Sequence, residues 1–489
     1  MKTQRVGHVA ADEKFTDRLR RTVSTVRADI EKYRDDLSER EPDGFPFSRM
    51  PQNGWPGAHN LRGPRAVRPP VHRTSSKTLA GAYPFLAETG DSMTGPYIGE
   101  NMLSRATFGM DPWDAYSAEL IRSHSACLIG VKGSGKSMLA KSWSTRLIRV
   151  GRKVAVPHDP NGEWVKVAQY VGGGSIEVGP GLSAKLNPLD PGPRDHALTD
   201  EQWRYLVLQD QRATLRGIIA ILRGGEKLHD HEHTAVDLIL EEANRRHSVV
   251  ILPHVYELLR EPTEFIQAHV EADEIRQLVH TIRRVVEGDI AGMFDGPSTV
   301  DFDTSAPMMV VNTRAMKNAP HEVKAVARLT TSNWIRRATQ GSNREPRVVI
   351  HEEAAVELLN DVASGASGLV EKVAGEKVAR HDGVANWYLL HRIADLDALG
   401  DAGSAVNRQA VGLLADCDTR ISYSQHPAEL ERSQEALGLN DVQTQLIRKL
   451  QKGEGLWQIG QDRIAKVKNI CTPGEMQVFR TDALGGNRS

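Results

Sequence analysis

The chain predicts an α/β fold, a mainly parallel sheet carrying a phosphate-binding loop, with an all-α segment inserted and a helical arm in front. Three observations carry this reading. From about Gly95, short apolar runs of strand length alternate with helical patterns, the texture of a parallel sheet covered on both faces. The first such run leads straight into an uninterrupted phosphate-loop motif. Between Thr199 and about Gly292 the strand signals fade and helical periodicity takes over.

In chain order, residues 1–40 are charge-rich, yet Phe15, Leu19, Val23, Val26, Ile30, Tyr33 and Leu37 recur at spacings of three and four. That is one apolar stripe on one helix, expected as an arm docked on its own core because only about three heptads are available for a coiled coil. Residues 41–85 read as a linker, since seven prolines and four glycines fall between 41 and 80. Its run of five basic residues with no acid, Leu61 to Ala80, is expected to be a solvated tether rather than a nucleic-acid or lipid contact. Residues 86–198 and 293–489 then form the α/β domain, with strands expected at Cys127–Ile129, Lys153–Pro157, Met308–Val311, Arg347–Ile350, Trp387–Leu390 and Arg420–Tyr423. The interruption at 199–292 is read as an all-α lobe with helices over Glu201–Leu222, Thr234–Arg246 and Ala268–Glu287.

Composition narrows the class. With 489 residues, 39% of them hydrophobic and 26% charged, the chain has the makings of a soluble protein of two or three domains. A formal net charge of −1 gives no whole-protein attraction to nucleic acid or an anionic membrane. Cys127, Cys417 and Cys471 lie far apart without C-x-x-C spacing, which argues against a disulfide framework or zinc ribbon and fits a reducing cytoplasm. No apolar run approaches the roughly 18 residues of a transmembrane helix, and the start lacks the apolar centre of a signal peptide. Membrane contact is therefore expected only through partners.

Gly130-Val131-Lys132-Gly133-Ser134-Gly135-Lys136-Ser137 matches G-x-x-x-x-G-K-[ST] without a gap. Glycines let successive backbone N–H groups turn inward around a β-phosphate, while Lys136 reaches the β/γ oxygens and Ser137 ligates Mg²⁺. The flanks agree, with an apolar strand from Ser125 to Ile129 before the loop and helical spacing from Met138 to Val150 after it. Nucleotide contacts are assigned to Gly130 through Met138.

Hydrolysis also needs carboxylates for the metal shell and for the attacking water. Arg347-Val348-Val349-Ile350-His351-Glu352-Glu353-Ala354 is an apolar strand running into paired acids, the layout of a Walker B motif, expected on the strand beside the loop. Glu352 is read as holding Mg²⁺ through water and Glu353 as activating the nucleophile. Asp159 and Glu163, in HDPNGEW, follow the next strand and are expected to face the cleft. His391 and Arg392 end the strand WYLLHR, where a γ-phosphate sensor can sit, and Arg420 opens a further strand as a candidate finger for a neighbouring subunit. The cluster His229-Asp230-His231-Glu232-His233 is read as a solvated irregular loop rather than a metal site.

The order of these motifs resembles the TraC-type conjugation and type IV secretion ATPases of the FtsK–HerA P-loop superfamily. The match runs from GPYIGEN (Gly95–Asn101) and MDPWD (Met110–Asp114) through the phosphate loop, HDPNGEW and LNPLD (Leu186–Asp190). It resumes with GMFDGPSTVDF (Gly292–Phe302), HEEAAVELL and LLHRIADL (Leu389–Leu396), and closes with Ala436–Gly460 and Cys471–Asp482. The resemblance implies a RecA-like motor domain with a helical lobe, Mg-ATP hydrolysis, hexameric rings, and docking at the cytoplasmic face of a secretion channel. DNA or a nucleoprotein is the candidate cargo, and a DNA translocase or an ATP-binding scaffold is the alternative role. Three features depart from the family. Glu352 preceded by His351 stands where Asp is usual, His391-Arg392 replaces the sensor Thr-Gln, and a short arm and linker replace the large N-terminal domain.

Overall fold

The computed structural model describes residues 24, 25, 28, 95–300, 303–339, 345–355, 383–399, 405–461 and 463–480. The chain divides into two units, Met1–Leu86 and Ala87–Ser489, and in the first only Ser24, Thr25 and Ala28 are described, each helical and exposed. The expected apolar stripe of the arm and the linker lie outside the described residues.

The second unit is organised around one eleven-stranded sheet. Its strands are β1 (Tyr97–Asn101), β2 (Thr107–Gly109), β3 (Ala126–Ile129), β4 (Lys153–Asp159), β5 (Gly174–Glu177), β6 (Met308–Asn312), β7 (Arg347–His351), β8 (Val384–Leu390), β9 (Thr419–Ser422), β10 (Glu454–Ile459) and β11 (Arg463–Asn469). Their spatial order is β2-β1-β11-β10-β9-β3-β8-β7-β4-β6-β5. From β9 to β5 every neighbouring pair is parallel. From β9 through β10, β11 and β1 to β2 the pairing is antiparallel. All six expected strands form, and the fold is the RecA-like P-loop architecture with a mainly parallel sheet.

One expectation about order is corrected. The Walker B strand β7 is not beside the loop strand, because β8 lies between them, with Ala126 opposite Trp387 on one side of β8 and Ile350 opposite Trp387 on the other. Apolar runs mark strands that are buried on both faces, and such runs carry no information about lateral order.

Alternation along each strand divides the core. Ala126, Leu128, Val154, Val156, Val348, Ile350, Trp387 and Leu389 face the side covered by Leu139, Ala140, Trp143 and Leu147 of the helix Lys136–Arg149. Trp143 stacks on Trp387 with centroids 4.1 Å apart and donates its indole N–H to the Met110 carbonyl at 2.8 Å. On the opposite face, Cys127, Ile129, Tyr388 and Leu390 pack against the later helices Pro427–Leu437 and Asp441–Arg448. The β4 part of that face is covered instead by the helix His321–Thr339, on which the lobe helix Asp200–Leu222 packs, so that Leu215, Ile219, Ile239 and Leu240 of the lobe share one cluster with Ala155, Met309 and Val349. The lobe contains Asp200–Leu222, Asp230–Arg246, Leu252–Arg260, Glu264–Gln267 and Arg276–Val286. The helix expected from Ala268 begins only at Arg276, after a turn through Glu271 and Glu274.

Candidate active site

The loop between β3 and the helix Lys136–Arg149 is stitched at its entry to the ends of both neighbouring strands. Gly130 N–H donates to the Leu390 carbonyl at 3.3 Å, Val131 N–H to Ser424 at 3.0 Å, and Tyr423 N–H to Ile129 at 2.7 Å. Gly133 and Gly135 take φ of +81° and +122°, a backbone that side chains resist. A Cβ on Gly135 would lie 3.1 Å from Gly453 Cα and 3.3 Å from the Tyr423 ring, so the closing segment leaves no room there. Gly453 N–H in turn donates to the Ser134 carbonyl at 2.8 Å. The closing segment thus acts as a brace beneath the loop, a role invisible in the spacing of its residues.

Lys136 is buried and turned onto its own loop. Its ammonium donates to the Gly130 carbonyl, to Val131 O at 3.2 Å, and lies 3.1 Å from His391 Nδ1. Burial lowers its pKa to about 8, against an opposing pull from Glu352. His391 is lowered too, by burial first and by Lys136 next. The buried Ser134 hydroxyl has no hydrogen-bond partner among the described residues. Such an orphaned donor in a glycine-rich loop is suited to a phosphate oxygen. Lys132 is exposed and Ser137 half-buried, while Met138 packs against the Trp143 side of the core.

At the end of β7, Glu352 accepts a 2.9 Å hydrogen bond from the Trp164 indole. Its carboxyl is raised to about 7, chiefly by burial and further by Glu163 and Asp159, with Trp164 and Lys141 pulling it down. A carboxyl so short of positive charge fits a hard cation, and Mg²⁺ is characteristically held by one or two carboxylates with substrate phosphates completing the shell. Among the described residues no group of three or more His, Cys, Asp or Glu could hold a metal unaided.

Asp159 is buried and caps the turn that follows β4, accepting Glu163 N–H at 3.0 Å and Trp164 N–H at 2.8 Å. Its carboxyl is also raised, by burial in excess of those bonds. Glu163 pairs with the buried Lys141 of the loop helix at 2.9 Å. These two acids therefore stand in a layer that orients Trp164 and Lys141 around Glu352. Glu353 is one of the non-glycine residues with positive φ, +55°, and pairs with Arg328 at 3.2 Å. His351 bonds Asn386 Oδ1 at 3.1 Å and stacks on Tyr388 of β8, so it belongs to the sheet rather than to the metal side.

Arg392 is exposed beside His391 at the end of β8. Arg420 sits in the interior strand β9, opposite Cys127 and Gln458, and donates to the Leu437 carbonyl at 3.1 Å. That gives it work inside its own subunit, where it holds the C-terminal end of Pro427–Leu437. The His229 cluster is corrected from a loop to the first turn of the helix Asp230–Arg246, and Glu232 accepts His229 N–H and pairs with Arg223 at 2.7 Å. Histidine is a poor N-cap residue, so the start was hidden. Trp164, Lys141, Arg328 and Gly453 were all missed from sequence, since each acts across a long separation.

Fold and site together define a P-loop NTPase fold of RecA-like architecture. No protein-family model matches the chain, and no curated protein matches it. Solved structures do. The structure of VirB4 of Thermoanaerobacter pseudethanolicus matches with a TM-score of 0.63 at 20% identity, covering 78% of this chain and 98% of that one. The plasmid coupling protein TrwB in complex with ADP and Mg²⁺ matches with a TM-score of 0.48 at 14% identity, over 71% of this chain and 85% of that one. The VirB4 likeness shows a shared fold.

Proposed function

We propose that the chain is a Mg²⁺-dependent ATPase motor that powers assembly of, or substrate passage through, a conjugative type IV secretion apparatus. One arrangement carries the hydrolytic part: the phosphate loop with Lys136 and the orphaned Ser134 hydroxyl ends β3, and the paired acids Glu352 and Glu353 end β7, two strands away. The secretion part is supported by the order of motifs along the sequence and by the fold shared with VirB4 over 98% of that chain.

In this reading Lys136 leaves its loop carbonyls for the β/γ oxygens. Ser137 and Glu352 would hold Mg²⁺, which when bound neutralises charge on the phosphates. Glu353 takes the proton of the attacking water as its oxygen bonds the γ-phosphorus and the bond to the bridging oxygen breaks, leaving ADP and phosphate. Arg392 is assigned to the γ-phosphate, and Asp159 and Glu163 to support of the metal side. Arg420 is read as a helix clamp rather than a finger in trans. The expected partners are further copies of the chain in a hexameric ring and components of the secretion channel at the cytoplasmic face, with membrane contact through them.

The test is turnover of the purified protein against its own concentration, with and without Mg²⁺ and DNA. Mg²⁺-dependent turnover that rises steeply with concentration is the expected result. Strong DNA stimulation that fades with salt would favour a translocase, because phosphate contacts release counterions. No turnover at any concentration would leave an ATP-binding scaffold.

A further inference from the structure

The helix His321–Thr339 links two charged contacts that the reaction as described does not use. In its middle, Arg328 is 8% exposed and places Nη2 3.2 Å from Glu353 Oε2. Near its end, Arg336 and Arg337 both pair with Asp210 of the lobe helix Asp200–Leu222. Arg337 also donates to Pro188 O at 2.8 Å, Asp190 O at 2.9 Å and Thr214 Oγ1 at 2.7 Å. Arg328 and Arg337 are nine positions apart on the helix, about 13.5 Å at 1.5 Å per residue. A guanidinium fixed to two carbonyls, a hydroxyl and a carboxylate allows the helix little rotation or sliding, so Arg328 is delivered to one place.

Glu353 needs such a fixed partner. It stands in a left-handed turn directly after β7, a conformation that persists only when its surroundings over-determine it. Its side chain is 38% exposed, so packing alone does not confine it. Residues held in such strained positions cluster at functional sites, and a planar guanidinium is the cation that fixes a carboxylate in direction as well as distance.

We propose that Arg328 is a positioning residue for Glu353, holding its carboxylate where it meets the attacking water. This rests on the reading of Glu353 as the base. The lobe, through Asp210 and Arg337, supplies the anchor at the far end of the same helix.

The test is a double-mutant cycle on the full chain, with Mg-ATP turnover and binding of a fluorescent ATP analogue measured for Arg328→Gln, Arg328→Lys, Glu353→Gln and Arg328→Gln/Glu353→Gln. Displacing a reacting group by about 1 Å can cost on the order of a hundredfold. Arg328→Gln is expected to lower kcat about ten- to a hundredfold with KM and analogue affinity within about twofold, and Arg328→Lys to recover part of the loss. In the Glu353→Gln background, Arg328→Gln should cost nothing further. Unchanged or raised turnover in Arg328→Gln, or an equal loss in both backgrounds, overturns the proposal. If Arg328→Gln does not fold, Arg328→Lys, which keeps the buried charge, and Arg328→Met carry the same cycle. Wild-type turnover in Glu353→Gln would instead overturn the base assignment, a result distinct from a failure of Arg328.

Discussion

The Trp164 indole N–H rests on the Glu352 carboxylate at 2.9 Å, and Trp164 is itself set in place by Asp159, which accepts its backbone N–H at 2.8 Å. The carboxylate that the fold offers to a cation is thus oriented by the turn after the next strand, β4. Asp159, Glu163 and Lys141 complete that layer, and burial, with the two acids adding to it and Trp164 and Lys141 opposing it, leaves Glu352 with a carboxyl raised to about 7.

A raised carboxyl costs stability at neutral pH, and the direction follows from proton linkage. Below its ordinary value of about 4.5 the group is protonated whether the chain is folded or not. Between about 4.5 and about 7 the folded chain keeps a proton that the unfolded chain has released, so stability falls as pH rises through that window and then levels. Glu352→Gln removes the titration while keeping an oxygen for Trp164. In the absence of Mg²⁺ and nucleotide, the variant is expected to melt above the wild type at pH 8 and close to it at about pH 4. A variant that melts below the wild type at pH 8 would show that Glu352 is not a strained carboxylate.

Lys136 presents a different balance. Its ammonium already has three partners, so Lys136→Ala removes a buried charge with its bonds as well as the group assigned to the phosphates. Turnover should fall to background and analogue affinity should drop by at least about tenfold, the worth of one charge-assisted hydrogen bond. Thermal melting should change far less than binding. Near-normal affinity in a folded Lys136→Ala protein would remove the loop lysine from the site.

Much of this fold was legible in the sequence for a simple reason. β3 and β7 are short strands buried throughout, so their composition announces them, and the loop motif and the Glu352-Glu353 pair sit at their carboxyl ends. Strands whose second face meets water carry a mixed pattern, and β11 with Arg463, Lys466 and Lys468 went unread among its charges. The support of the site was hidden for another reason. Trp164 and Glu352 lie 188 positions apart, and Ser134 meets Gly453 only because β10 enters the sheet two places from β3. Local patterns report which residues prefer a strand or a turn, whereas these contacts depend on lateral strand order, which such patterns leave open. Arg420, read from sequence as a candidate finger for a neighbouring subunit, illustrates the point, since its 3.1 Å bond to the Leu437 carbonyl is visible only once β9 and the helix Pro427–Leu437 are placed together.

Asp210 tests the anchor of the lobe. Burial pushes its carboxyl up, but Arg336 and Arg337 outweigh that and hold it below the ordinary carboxylate range. A depressed carboxyl contributes stability that is present above its unfolded value and lost as pH falls through its folded value. Asp210→Asn leaves Arg337, only 7% exposed, without the carboxylate it is paired to, with only the weaker pull of Asp190 remaining. Breaking a buried pair from one side costs about 3–5 kcal/mol, so the variant should melt several degrees below the wild type at pH 7. The gap should narrow as pH drops below about 4, where the unfolded wild-type chain takes up a proton on this carboxylate that the folded chain, its carboxyl held lower by Arg336 and Arg337, does not yet bind. Melting curves for both proteins from pH 3 to pH 8 decide the matter. A gap that is absent at pH 7, or that widens in acid, would mean that the ion pair contributes nothing to seating the lobe on the helix His321–Thr339, and that Arg337 is held there by the Pro188 and Asp190 carbonyls and Thr214.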